Sequence, residues 1–534
     1  MKKNYIAMFL LGLSIISFSG VAQAQDDSQE TRKRINDAVM GVYNDELEKN
    51  PSDYGLLFGR ANQYFVNGDY IHALDDVTAA LKYTTTEDKA TLFDEYLLRA
   101  KIYIQRKDNQ SAIADLKEAN RLNPSDMSVL MLLGDLCLDA NDLELAKASY
   151  QQMQRLNSVD YNSLAGLAKV AVKEKNYGQA AEFANKAVEL YPAESRVYIN
   201  RSEVLSMMNN YEGAAQDLIS ALSVTNNTSD ALQRLVEMSN TSYNPVMKAL
   251  SNSIDKAPKV GMFYYIRSMV AIGHNHYASA LKDLNAIING KLYDYHGIYY
   301  DCAVANFNLG NYRDALNRVN TAIMMYATNP DYYILKAQIQ AAMGLTSDGI
   351  ESVGKALAIN PNYVDALREK AALNIQMGKS KEALNLLNEA LLNNSTIAEN
   401  LILRAWLEKS YLKSVNASNL DYNKALSLGE DINSWRGLAL HGLGKDVEAK
   451  AWADKLIQDS PMPGGQAYYV AAVVYGQCGD TDTALKYLEN AFANGYGSYY
   501  KIMDYKLGMD NIAPVRENPR FKTVIDQYKS VFEN

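Results

Sequence analysis

The sequence predicts an all-α protein, a right-handed α-α superhelical solenoid of about thirteen helix-turn-helix repeats. A fourteen-residue phrase returns along the chain: GDYIHALDDVTAAL at 68–81, KNYGQAAEFANKAV at 175–188, NNYEGAAQDLISAL at 209–222, NHYASALKDLNAII at 275–288 and GNYRDALNRVNTAI at 310–323. Aligned on their shared alanine, the anchors are Ala73, Ala112, Ala146, Ala180, Ala214, Ala280, Ala315, Ala383 and Ala484. The step from Ala112 to Ala146 recurs unchanged to Ala180 and to Ala214, a period of the length that marks stacked repeats. Prolines close many units, at Pro51, Pro124, Pro192, Pro258, Pro361 and Pro461, where a helix must stop before the next begins.

From the N-terminus, Lys2 and Lys3 precede an apolar run from Ile6 to about Phe18 and the small-residue stretch Ala22-Gln23-Ala24. Basic, apolar and small in that order predict a cleaved secretory signal over 1–24, and no cysteine before Cys137 could carry a lipid anchor. Residues 25–52 hold one amphipathic helix with Val39, Tyr43 and Leu47 in phase, an N-terminal cap. The first half of the array runs over 53–226. Within it, YINRSEVLSMM is apolar at helical spacing, Asn209-Asn210 breaks it, and Ala214, Leu218, Ala221 and Leu222 resume on one face, giving two antiparallel helices around a tight turn. A helix of about a dozen residues is marginal alone in water, so each pair must bury its apolar face against its neighbours, which explains why the pattern repeats while exposed letters vary.

Residues 227–258 keep the length and Pro258 but place Arg234 and Val246 where small residues are expected, a degenerate repeat that divides the array. The second half runs over 259–494, with one extra residue in the unit near 398–428, and 495–534 form a C-terminal cap.

These units resemble tetratricopeptide repeats. The unit from Tyr54 matches the family pattern through Ala61, Tyr64, Gly68, Asp69, Tyr70, Ala73 and Ala80, and that from Phe93 through Tyr96, Ala100, Tyr103, Ala112, Ala119 and Pro124. Arg516, Pro519 and Phe521 match the aromatic-and-proline ending that follows such arrays. The resemblance implies that Tyr64, Tyr70, Tyr96, Tyr103, Tyr177, Tyr198, Tyr211 and similarly placed tyrosines pack the core. It also implies a concave groove lined by fixed positions of each first helix. Those positions are mixed and partly polar early in the chain, at Asp94, Lys101, Asp135, Lys169 and Glu203, and apolar in the middle, at Leu235, Met238, Met262, Tyr265, Met269, Ile272, Tyr300, Val304 and Phe307. Contiguous apolar surface marks partner sites, so the middle nine are the candidate partner-binding residues; the alternative is that they pack between the array's two halves. The basic clamp of chaperone-binding relatives is missing, since Phe58 and Asn62 stand at its positions.

Nucleophile-elbow, zinc-protease, phosphate-loop and dinucleotide motifs are absent, so no catalytic residue is nominated and no cofactor is expected. His274, His276 and His296 fall near successive turns and read as solvated histidines rather than metal ligands, leaving no metal site. Cys137, Cys302 and Cys478 are widely spaced in apolar helical stretches and read as buried thiols. The formal charge of −9 offers no general attraction to nucleic acid or anionic lipid, and no segment is long enough for a membrane span once the signal is set aside. The expectation is an exported, non-enzymatic scaffold of the cell envelope, periplasmic or secreted, that holds protein or peptide partners in its groove. The alternative is a binding protein that captures glycans or peptides for uptake or cell-wall processes. Self-association is left open.

Overall fold

The computed structural model describes residues 37–224, 229–428, 435–459, 464–505, 508 and 511–533. The expected signal segment 1–24 and the first part of the expected N-terminal cap lie outside the described residues. The chain divides into two compact units, Met1–Leu235 and Val236–Asn534, and among the described residues there is no strand.

In the first unit a helix over 37–49 precedes five helix pairs: Tyr54–Val66 with Tyr70–Tyr83, Lys89–Gln105 with Asn109–Leu122, Met127–Asp139 with Leu143–Leu156, Tyr161–Lys173 with Tyr177–Leu190, and Ser195–Met207 with Tyr211–Val224. The turn inside each pair is built one way. Its middle residue takes the left-handed conformation, at Gly68, Lys107, Asn141, Lys175 and Asn209. The next residue caps the second helix, as when Asp142 accepts from the Leu145 amide at 3.2 Å. Asp69, Asp108 and Asn176 act alike, each cap supporting its helix by about 1 kcal/mol. The anchor alanines Ala73, Ala112, Ala146, Ala180 and Ala214 are all 0% exposed, because only a methyl group fits where the paired helices cross.

A second repeated device is an arginine on the first helix paired in a fork with an aspartate on the second: Arg60 with Asp76, Arg99 with Asp115 and Arg201 with Asp217, at 2.6–2.8 Å. Arg60 and Arg201 also donate to Asn44 and Asn185, on the helix before their own pair, so one guanidinium ties three helices.

The second unit uses the same parts: Tyr243–Lys256, then Gly261–Gly273 with Tyr277–Gly290, His296–Asn308 with Tyr312–Met325, Pro330–Ala342 with Thr346–Ile359, Val364–Gln376 with Ser380–Asn393, Ala398–Ser410 with Val415–Ser427, Arg436–Gly442 with Asp446–Asp459, and Gln466–Gln477 with Thr481–Ala493. The Arg267–Asp283 fork repeats the three-helix tie, with Ser251 as its third member. In the repeat with one extra residue the fork joins Arg404 to Asp421 across 17 positions instead of 16, so the insertion is absorbed in the turn, where Lys413 turns left-handed, and the packing contacts keep their register.

The degenerate repeat differs at its turn. Ser242 alone separates Ser229–Thr241 from Tyr243–Lys256, caps nothing with its side chain, and no residue there has positive φ.

The end of the second unit folds back on that unit's early pairs. Gly497 donates its amide to the Asn275 carbonyl at 3.1 Å, Ser498 Oγ donates to Asn308 Oδ1 at 2.7 Å, the Tyr312 hydroxyl donates to Asp504, and the Tyr500 ring lies 4.2 Å from that of Phe307. The backbones approach so closely that a Cβ on Gly464 would stand 1.6 Å from the His274 carbonyl oxygen, which leaves glycine as the residue that fits. Arg516 donates to the carbonyls of Ile502 and Tyr505, holding this returning segment against Ile512, Val515 and Phe521, which are buried on the last helix pair.

Candidate partner-binding surface

Successive first helices place equivalent residues one repeat apart on one face. In the first unit Lys101, Asp135, Lys169 and Glu203 follow one another at the constant repeat interval, with alternating charge. Lys169 pairs with Glu203, and Glu203 also accepts from Arg234 at 2.5 Å, while Arg234 holds Asp230 at 2.7 Å. Arg234, the residue that made its repeat look degenerate, therefore extends a charged ladder along this face. Asp135 accepts from the Tyr150 hydroxyl at 2.6 Å, and burial raises its pKa despite that bond. The Tyr150 ring reaches the face from the second helix through a slot between Gly134 and Gly166.

In the second unit the equivalent face is aromatic and acidic. The Tyr265 hydroxyl donates to Asp301, whose carboxyl is pushed up to about 7 by burial. Tyr363 donates to Asp331, raised to about 6 for the same reason. Glu369 is likewise raised by burial and accepts from Gln338 at 2.9 Å, and Asp365 pairs with Arg368. Tyr300 stacks on Tyr332 with ring centroids 4.8 Å apart, and Tyr332 bonds His296 Nδ1 at 2.5 Å. Asp301, Asp331 and Glu369 nevertheless keep part of their surface in water. A carboxyl that is deep among aromatic rings, wet, and held by a tyrosine hydroxyl is costly to ionise and rewards a cation brought to it.

The nine apolar candidates separate into two groups. Leu235, Tyr265, Val304 and Phe307 are at most 6% exposed. They are packing residues, a correction with a physical cause for three of them: Tyr265 is enclosed by Tyr293 and Tyr295, and Val304 and Phe307 share a core cluster against which Tyr500 of the returning segment packs. Met238, Met262, Met269, Ile272 and Tyr300 remain partly exposed. The histidines also depart from expectation. His274 is 3% exposed and packs on Tyr243, and His276 bonds the Tyr243 hydroxyl at 2.5 Å, so these serve as core polar groups rather than solvated turn residues. Cys137 and Cys302 are buried thiols, each raised by burial to about 11, whereas Cys478 is partly exposed. The inner carboxylates went unnoticed in the sequence, although Asp331 and Asp365 are separated by one repeat interval and Asp301 and Glu369 by two, which carries the signal.

The raised carboxyl of Asp301 sets a pH dependence. Its folded pKa lies above the unfolded value of 3.8, so the folded state holds the extra proton between the two and stability falls as pH rises from about 4 to about 7. Asp301→Asn keeps the acceptor for Tyr265 and abolishes the titration. Its stability relative to wild type should be near zero at about pH 4 and favour the variant by ~2 kcal/mol at about pH 8, after discounting for partial exposure, as read by urea unfolding at both.

Within each unit, helix hairpins stack on their neighbours with their first helices side by side, the architecture of an α-α solenoid. The chain carries tetratricopeptide repeats: the family profile described as Tetratricopeptide repeat matches residues 97–161 and 138–195, and a second profile of the same description matches 465–493. Among curated proteins, human Tetratricopeptide repeat protein 16 is 24% identical over 38% of this chain and 24% of its own length. The DnaJ protein P58IPK homolog of Arabidopsis thaliana is 23% identical over 61% of this chain and 58% of its own length. The crystal structure of yeast Tom70 aligns over 90% of this chain and 95% of its own at 15% identity, with a TM-score of 0.37. Among the described residues no helix is long and apolar enough to cross a membrane.

Proposed function

We propose that this protein is an exported, non-enzymatic scaffold of the cell envelope that binds an extended segment of a protein partner along the inner face of its first helices. The carrying observation is the pair Asp301 and Asp331 on successive first helices, each held by a tyrosine hydroxyl and raised by burial, with Met262, Met269 and Tyr300 partly exposed on the same helices or their neighbour. The fitting partner presents Lys or Arg among apolar side chains. Methionine adapts to their shape and the carboxylates fix their register. Because the cation must find the carboxylates ionised, affinity rises with pH through the range of about 6 to 7 in which they titrate.

The test is brief crosslinking in the native cell envelope with wild type beside an Asp301→Asn, Asp331→Asn double variant, each substitution keeping shape and removing charge. Partners captured by wild type and lost from a fully helical double variant are the expected result. The same set captured by both removes the inner carboxylates from the binding surface. A wild type that captures no protein turns the reading towards the glycan- or peptide-capturing alternative.

A further inference from the structure

One cluster of metal-ligating side chains lies apart from the inner face. His441 is in the helix Arg436–Gly442, Asp446 opens the second helix of that pair, and Cys478 follows the first helix Gln466–Gln477 of the next. All three therefore sit at the turn edge of two adjoining pairs. His441 Nδ1 lies 2.8 Å from Asp446 Oδ1 and 3.6 Å from Cys478 Sγ, and the three atoms all fall within 4.8 Å of one another. Each residue is partly buried.

Imidazole nitrogen, carboxylate oxygen and thiol sulfur are the donors zinc takes, at about 2.0–2.3 Å, so ligands around one zinc ion stand roughly 3–4 Å apart. The sulfur-to-nitrogen distance of 3.6 Å lies in that range, and the imidazole and carboxylate, 2.8 Å apart in their hydrogen bond, need to part by only a few tenths of an ångström to admit an ion. Hydrogen bonding accounts for the imidazole and the carboxylate, but it leaves the thiol sharing a carboxylate already engaged. Its surroundings are acidic as well: burial, Asp446 and Asp480 push the Cys478 thiol up to about 12 against the opposing influence of Lys450. A dication at the centre would turn the thiolate and carboxylate from mutual repulsion into charge balance.

We propose that His441 Nδ1, Asp446 and Cys478 Sγ form a three-ligand site for a divalent transition-metal ion, zinc foremost, with the fourth position open to water. On binding, the thiol proton leaves to solvent, the imidazole proton moves from Nδ1 to Nε2, and the ion sheds water molecules; nothing is oxidised or reduced. A metal here would staple the pair that begins with Arg436–Gly442 to the next pair, independent of any partner on the inner face.

The test uses the full mature chain, free of affinity tag, stripped with chelator and kept in a non-thiol reductant. Zinc is titrated in competition with a chromogenic chelator, and cobalt(II) is used as a spectroscopic stand-in. Expected are one zinc per chain and a thiolate-to-cobalt charge-transfer band. Cys478→Ser should remove the band and weaken zinc binding by about a hundredfold, with Asp446→Asn weakening it by about tenfold to a hundredfold. Binding should also weaken about tenfold for each pH unit lowered, reporting the one released proton, with Asp446, Asp480 and Lys450 the charged groups around the thiol. A wild type that takes up no zinc, or one whose zinc affinity and cobalt spectrum survive Cys478→Ser, overturns the proposal. If Cys478→Ser does not fold, the wild-type cobalt band together with Asp446→Asn decides it, and a missing band refutes it.

Discussion

Replacing Arg267 with alanine is expected to destabilise the second unit by about 3 kcal/mol, and the loss should be local. Asp283 is 3% exposed and receives two guanidinium bonds, at 2.6 and 2.8 Å, while the third branch of Arg267 holds Ser251 Oγ at 2.8 Å. Alanine leaves a buried carboxylate without its cation, which costs more than the ion pair contributes on balance, because the desolvation of Asp283 remains while the compensation is gone. Arg267→Lys should restore little, since one ammonium cannot replace a fork that bonds two helices. Arg267→Leu with Asp283→Leu should recover most of the loss by removing the stranded charge as well. Repeat arrays carry their stability in neighbouring contacts, so hydrogen exchange is the informative measurement. Protection should fall in Tyr243–Lys256, Gly261–Gly273 and Tyr277–Gly290, the three helices this guanidinium ties, and persist in Val364–Gln376. A uniform fall across the second unit, or a double leucine variant that recovers none of the lost protection, would refute the stranded-charge account.

The fold was legible because a solenoid writes the same constraint many times. Ala73, Ala146, Ala180 and Ala214 are buried for one reason, and each copy reinforces the reading of the others. The Arg–Asp fork was equally available as an arginine followed 16 positions on by an aspartate in four repeats and 17 positions on in the repeat with the extra residue, but charged letters read as surface unless their spacing is compared across repeats. The groove was harder to read, because the family pattern says which way a side chain points and cannot say what stands in front of it. Phe307 points as expected, and Tyr500, far along the chain, covers it. That contact depends on how far the second unit turns before its last pair, a sum of small rotations that no single repeat encodes. The cluster of His441, Asp446 and Cys478 escaped notice for the same reason: its third member belongs to the next repeat and lies 37 positions away.

Gly166→Ala tests the slot that brings Tyr150 to the inner face, and it is expected to cost about 3 kcal/mol, the upper end of overpacking. A Cβ on Gly166 would lie 2.3 Å from the Tyr150 ring, and one on Gly134, across the ring, 2.7 Å from it. The ring therefore cannot retreat from an alanine at 166 without pressing on the backbone at 134. It must leave the slot, giving up a burial in which it is 1% exposed and the bond from its hydroxyl to Asp135. Tyr150→Phe separates these contributions, since it keeps the ring and loses only the hydroxyl bond, at about 1 kcal/mol. If sterics is the cause, the cost of Gly166→Ala should nearly vanish in a Tyr150→Ala background, where the slot is empty and alanine is the better helix former. Thermal unfolding followed by circular dichroism on the four proteins closes this cycle. An equal cost in both backgrounds would place the requirement for glycine in the helix backbone instead, and Tyr150 would then be a passenger in the slot rather than the reason for it.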